Sequence, residues 1–185
     1  ACISLGTNGV GRLVLDHPFD PEVALQMDAF FWPYVPGRWV VGGMTLTGGS
    51  CLSWLTEVLG QEYPALLEKA SASPPGSNGV VFLPYLIGRG TPLPVSTARA
   101  AFLNLTLSSS TGDMARAVLE GVAFAIKDIF FAFAGVGYKL ERAYITGGGA
   151  RNALWRRIMA EVLGCPLTWA PGDATLGAAI MASVG

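Results

Sequence analysis

The stretch that most constrains the fold is "YITGGGARNALWRRIMAEVLG", residues 144–164. An apolar run, three successive glycines and an amphipathic pattern stopping at Gly164 spell strand, tight turn and helix. In that order, backbone N–H groups and the helix N-terminus can face an anion or a nucleotide. Gly147, Gly148 and Gly149 would let the main chain approach a phosphate or a base face without interference from a Cβ. A tight turn that needs positive φ accounts for the same residues with no ligand at all. A Rossmann fingerprint is disfavoured. It requires GxGxxG in the first βα turn and an acidic residue about 20 positions on, whereas this span reads "GGGARNAL".

Two more glycine turns precede it. "LGTNG", residues 5–9, sits between the β runs of "CISLGTNGVGRLVL", a hairpin signal. There the Thr7 hydroxyl, beside Gly6 and Gly9, could hydrogen-bond terminal phosphates, or the turn could be an ordinary hairpin. "TLTGGSCLSW" opens a helix with Gly48-Gly49-Ser50, and Ser50 or Thr47 is the expected N-cap. Together the three turns favour a ligand more than any one does, without naming it.

Around these turns the chain alternates. "DHPFDPE" reads as a loop, and "AFFWPYVPGRWVVGGMTL" as a β pair turning at Pro36-Gly37. Leu52, Leu55 and Leu59 fall at helical spacing before Gly60, and "YPALLEKASA" is a short second helix. "SPPGSNG" is a surface loop, "VVFLPYLIGRGTPLP" a buried strand running into irregular chain, and "STARAAFLNL" one or two helical turns. The longest helix begins near Asp113 and carries Met114, Ala117, Val118, Gly121, Ala125, Ile129 and Phe133 on one face; Gly135 or Gly137 ends it. "PLTW" is a short strand, and "ATLGAAIMASVG" a small-residue helix expected to pack closely on a neighbour. Hairpins followed by alternating α and β predict an α/β layer fold with a mixed sheet and no internal repeat.

Composition narrows the class. Mean hydropathy is +0.46 and hydrophobic residues make up 51% of the chain, which calls for a large core. The best membrane candidate, "GVAFAIKDIFFAFAGVGY", is broken by Lys127 and Asp128 where a span needs about 20 mostly apolar residues. The opening "ACISLGTNG" has no basic n-region of a signal peptide. A net charge of −1 implies no general attraction to nucleic acid. Only 14% of residues are charged, which suggests surface covered by something outside this chain. Cys2, Cys51 and Cys165 form no CxxC, and His17 is the single histidine, so no metal pattern is present and reduced apolar thiols are expected.

In sequence, "ISLGTNG", "VPGRW", "GGSCLSWL", "LPYLIGRGTP", "ARAAFLNL", "DMARAVLEGVAFAIKD", "TGGGARNALWRRIMAEVLG" and "LGAA" resemble the C-terminal domain of the FGGY family of carbohydrate kinases, most closely its xylulokinase branch. Ala100 to Glu120 fits the family signature almost position by position. Asn104 stands where the family usually has glycine, though Asn also tolerates the left-handed region. Asn8 replaces a more usual serine.

The resemblance implies an actin/hexokinase-type ATPase fold: a ribonuclease-H-like domain with a mixed five-stranded sheet flanked by helices, filling residues 1–185. It implies a kinase that moves the γ-phosphoryl group of ATP, with Mg²⁺, to a sugar hydroxyl, D-xylulose first, in the cleft against an N-terminal sugar-binding domain absent from this chain. Carried over residue by residue, Gly6 and Thr7 match the loop that meets the β- and γ-phosphates, and Gly49 a glycine close to them. Ser53 matches a nucleotide-lining position, Gly148, Gly149 and Ala150 the adenosine loop, and Asn152 a position near the adenine. The family's base is an aspartate upstream of the "SLGT" strand, so it is expected ahead of Ala1 and the chain alone is expected to be inactive. No metal ligand is expected here. A cytoplasmic enzyme, at times a homodimer, with no membrane or nucleic-acid partner, completes the expectation.

Other polar residues have plainer readings. Asp16 and Asp20 do not match the base, and Asp113, Asp128 and Asp173 sit in capping or solvated contexts. Glu120 is expected to satisfy a neighbouring loop, and Arg89 to stabilise its own. Arg151, Arg156 and Arg157 form a basic helix start that is solvated or draws a triphosphate, while Trp32, Trp39, Trp54 and Trp155 belong to core or interface. Two rival functions remain: a nucleotide-responsive binding or assembly module on the same superfamily fold, and a dinucleotide-dependent enzyme, which the motif mismatch sets back.

Overall fold

The computed structural model describes residues 1–172 and 174–184. Its centre is a mixed sheet of six strands in the order β3-β4-β2-β1-β7-β8. β1 (Cys2–Leu5) and β2 (Gly9–Leu15) form the first hairpin, with Leu5 opposite Gly9. β3 (Phe30–Val35) and β4 (Arg38–Thr45) form the second, turning at Gly37 with φ +72°. β7 (Ala143–Thr146) lies parallel to β1, and β8 (Leu167–Trp169) parallel to β7. The sheet is mixed and helix-flanked as expected, with six strands instead of five, the expected short strand β8 pairing at its edge.

Helix α2 (Gly49–Leu59) and helix α5 (Ala153–Leu163) stop at Gly60 and Gly164, both left-handed. α3 (Tyr63–Ala72) and the long α4 (Thr111–Gly135) lie between them in the chain. α4 buries Val118, Val122, Ile126, Ile129 and Phe133 with Ile3, Leu5 and Ile145 of the sheet and Leu52 and Leu55 of α2 in one core. The Trp155 indole is wholly buried and donates to the Leu119 carbonyl at 3.1 Å, which pins α5 to α4.

Four local expectations are corrected. "DHPFDPE" is not all loop: Asp20 caps α1 (Pro21–Gln26), its carboxylate accepting from the Glu22 and Val23 amides. "STARAAFLNL" is not helical, because β6 (Ala101–Leu103) pairs with β5 (Val81–Leu83) in a second, two-stranded sheet. The β-branched and aromatic pairing outweighed a weak helical pattern there. Neither Ser50 nor Thr47 caps α2; Gly48 does, without a side-chain bond. The last helix, α6 (Ala174–Val184), has exposed side chains from residue 175 to 183 instead of a packed face.

Other readings held. Asn104 takes the left-handed region, φ +59°, with Nδ2 donating to the Gly79 carbonyl. Glu120 accepts from the Gly76 amide, the Ser77 hydroxyl and Arg116. Arg89 pairs with Asp128 at 3.4 Å. Asp113 completes a capping box with Ser110. Asp173 lies outside the described residues. No described helix is long and apolar enough to cross a membrane.

Candidate functional site

The parallel strands β1, β7 and β8 end at one edge of the sheet, and the first two run into glycine turns there. In α/β sheets that edge is where ligands settle. A cavity of about 310 Å³ opens at it, lined by Ser4 of β1 and Gly6 beyond it, Thr146 of β7 and Gly147 and Gly148 beyond it, Trp169 of β8 and Ala170 to Gly172 beyond it, and Arg151. That volume is within the range of small-molecule sites.

The β1–β2 turn is clamped to the start of α2. The Thr7 carbonyl accepts from the Gly48 amide at 2.7 Å, the Ser50 amide at 3.3 Å and the Ser50 hydroxyl at 2.8 Å. The Gly6 carbonyl accepts from the Gly49 amide at 2.7 Å. A Cβ on Gly48 would lie 2.6 Å from the Asn8 backbone, so this approach requires glycine. With its carbonyls turned into the clamp, the loop keeps its donors: the amides of Thr7 and Asn8 have no acceptor among the described residues. Unpaired amides at a turn form an anion-binding concavity.

The three glycines after β7 differ in what they do. Gly147 has φ +97°, and a Cβ there would stand 2.5 Å from the Leu5 carbonyl oxygen. Gly149 is buried, with the Leu5 and Trp155 side chains 2.8 and 3.1 Å from where its Cβ would be. Gly148 alone has open space around it, and it lines the cavity. The amides of Gly148 and Gly149 likewise have no acceptor among the described residues.

The expected binding residues thus fall in three groups. Gly6 and Gly148 share the cavity wall, and Thr7 and Gly49 sit in the clamp beside Gly6. Ser53 is exposed one turn along α2, its hydroxyl on the Gly49 carbonyl at 3.4 Å. Ala150 is fully buried, and the Asn152 side chain caps α5 by accepting from the Trp155 amide at 2.9 Å. The basic cluster also divides. Arg156 donates to the carbonyls of Ala150 and Arg151, and Arg157 pairs loosely with Glu161 at 3.8 Å. The Arg151 guanidinium has no partner among the described residues, and Arg151 lines the cavity.

Sequence reasoning passed over Ser4 and Trp169. Their place follows from the fold: β8 runs parallel beside the glycine turn, which puts its last residue at the same edge. Burial pushes the Cys51 thiol up to about 11 and raises that of Cys165, so neither is a prepared nucleophile. Among the described residues no three His, Cys, Asp or Glu stand together as a metal site.

Open amides on two glycine turns, at the carboxyl edge of parallel strands, are an arrangement for holding an anion. The model of the FGGY family of carbohydrate kinases, C-terminal domain, matches residues 1–185. The chain belongs to that family. The xylulose kinase of Escherichia coli (strain K12) is 35% identical over 189 residues, covering 100% of this chain and 38% of its own length. The crystal structure of ligand-bound xylulose kinase from Lactobacillus acidophilus superposes with a TM-score of 0.86 at 28% identity, over 98% of this chain and 37% of that one. The xylulose kinase of Rhodospirillum rubrum gives 0.85 at 30% identity, over 100% and 38%. The FGGY domain described here therefore spans about two fifths of the length of these relatives, and its neighbours share the actin/hexokinase-like ATPase fold.

Proposed function

We propose that this chain is the nucleotide-binding half of an ATP-dependent sugar kinase, with D-xylulose as the acceptor. The observation that carries the reading is the pair of glycine turns that put unengaged amides beside one cavity of about 310 Å³. The relatives' name, xylulose kinase, supports the choice of sugar.

The residues present fit the nucleotide. ATP supplies the γ-phosphoryl group when bound. The amides of Thr7 and Asn8 would hold the terminal phosphates, with the Thr7 hydroxyl beside them. Gly49 keeps that loop in place through the Gly6 carbonyl. Gly148 leaves room for the nucleoside, and Arg151 adds positive charge at the mouth. Phosphoryl transfer asks a protein mainly for positioning and charge stabilisation, and fixed main-chain donors supply both without reorganising. Mg²⁺ would enter on the phosphate oxygens, since the described residues form no carboxylate cluster. The sugar contacts and the aspartate that takes the sugar proton would come from an N-terminal half ahead of Ala1, and closure of the two halves would keep water out.

The test is ADP release by a polypeptide carrying both halves, over a panel of pentuloses, hexonates and polyols. Turnover with D-xylulose well above the others is expected. Turnover with none of them removes the kinase reading, and preference for a hexonate reassigns the sugar.

A further inference from the structure

Helix α4 is buried along one side, but its C-terminal half leaves the other side bare. Phe124 is 55% exposed and Phe131 75% exposed, and Ala134 and Gly135 are exposed beyond them. At 3.6 residues per turn, Phe124 and Phe131 lie within about 20° of each other on the helix surface. They form one apolar ridge, and an exposed apolar stripe of this kind marks an interaction surface. Two grooves flank the ridge at Phe124. One, of about 330 Å³, is lined by Val81, Phe82 and Ala125 and includes Asp128. The other, of about 350 Å³, is lined by Ile158 and Val162 of α5 and includes Lys127. The ridge therefore carries an acid on one flank and a base on the other. The Lys127 ammonium has no partner among the described residues. The Asp128 carboxylate is about half exposed and forms a loose 3.4 Å pair with Arg89.

We propose that this ridge is the contact face of a dimer, in which the α4 helices of two copies of this chain lie side by side, in the same sense, about a twofold axis. A closed twofold interface must be complementary to itself, and this face is. With the helices running the same way, Phe124 and Phe131 meet their own copies and pack toward the flanking grooves. Lys127, on one flank, then comes opposite Asp128 on the facing flank of the second copy. The two differ by one residue in height, about 1.5 Å along the axis, and the twofold makes the pair twice. In the opposite sense Lys127 would face Lys127 and Asp128 would face Asp128, which repulsion between like charges disfavours. The charges thus select both the occupant, a second copy, and its direction. None of these residues lines the cavity beside the glycine turns, so the inference is independent of the nucleotide reading.

The test uses the polypeptide carrying both halves and measures its mass by sedimentation over a range of concentrations. A mass of two copies is expected at micromolar concentration. Phe131→Glu should weaken the dimer by about 30-fold or more, the range of a central aromatic in an interface, while melting close to wild type because the side chain is 75% exposed. Lys127→Asp and Asp128→Lys should each weaken the dimer of its own kind, and an equimolar mixture of the two should form a one-to-one pair. Phe131→Cys reads the direction. Under mild oxidation it should cross-link to its own copy, whereas the opposite sense would link only a mixture of Phe124→Cys and Phe131→Cys. A mass of one copy at every concentration overturns the proposal, and so does a dimer that survives Phe131→Glu. A large fall in melting temperature in Phe131→Glu, with the mass of one copy in both proteins, would also overturn it and assign the ridge to the N-terminal half.

Discussion

The amide of Gly49 donates to the carbonyl of Gly6 at 2.7 Å, and a Cβ on Gly49 would stand 2.7 Å from that same oxygen. The hydrogen bond and the absence of a side chain are one requirement, because any residue but glycine would push the β1–β2 turn off the start of α2. Gly49→Ala is therefore expected to cost about 1–3 kcal/mol, the range for forced overpacking. Gly6 has nothing nearer to its Cβ position than the Asn8 carbonyl oxygen at 3.9 Å, so Gly6→Ala should stay within about 0.5 kcal/mol of wild type. Thermal melts of the two variants check the contrast, and equal melting would mean that the clamp does not hold the turn.

Asp113 predicts the acid limb of stability. Its Oδ1 accepts from the Ser73 hydroxyl at 2.6 Å and Asn78 Nδ2 at 2.8 Å, and its Oδ2 from the Ser110 amide and hydroxyl. The Ser73 bond first, then those of Ser110, lower its pKa from the ordinary 3.8 to about 2. A carboxylate with a depressed native pKa stabilises the fold above its unfolded value and loses that contribution as pH falls toward the native one. Between about pH 4 and pH 2 the urea midpoint should drop. Asp113→Asn turns an amide nitrogen toward groups that donate, so it should cost about 2 kcal/mol at neutral pH and narrow its gap to wild type as the pH approaches 2. A constant gap across that range would assign the acid loss to other carboxylates.

How much of this was legible in the sequence depends on distance along the chain. The turn at Gly37 and the stops at Gly60 and Gly164 are set by neighbouring residues, and the periodicity marked them. The capping box of Ser110 and Asp113 is equally local. β6 was not: its strand state comes from pairing with β5 about twenty residues earlier, which no local pattern encodes. The glycines divide the same way. "GGG" announced a turn, yet only the fold tells Gly147, pressed on Leu5, from Gly148, facing the cavity. Trp169 stayed hidden because its place at the cavity comes from the neighbouring parallel strand.

Asn104 tests a departure from the family pattern. At φ +59° a residue with a plain Cβ pays roughly 1 kcal/mol or more, while glycine pays nothing and Asn little. Asn104→Ala should lower stability by about 1 kcal/mol, and Asn104→Gly should match wild type within ~0.5 kcal/mol despite losing the 3.3 Å bond to the Gly79 carbonyl. Urea midpoints of the three proteins decide it. A stable alanine variant would show that the turn relaxes out of the left-handed region.

Gly147 and Gly148 are adjacent, and substitutions at them should fail in opposite ways. At Gly147 the positive φ and the Leu5 carbonyl leave no place for a methyl group, so Gly147→Ala should lose about 1–3 kcal/mol of stability, and its activity should fall only as the folded fraction falls. At Gly148 a Cβ meets no protein atom within 4 Å, and the residue lines the cavity where the nucleotide is proposed to lie. Gly148→Val, like Gly6→Val, should melt close to wild type yet raise KM for ATP at least tenfold in the polypeptide carrying both halves, an effect of about 1.4 kcal/mol or more, with KM for the sugar little changed. The 185-residue chain by itself should release no ADP with D-xylulose in either form, because the proton acceptor is proposed to lie in the other half. Melting curves and paired KM values for the two substrates separate these outcomes. A Gly148→Val enzyme with normal ATP kinetics would place the nucleotide away from this turn.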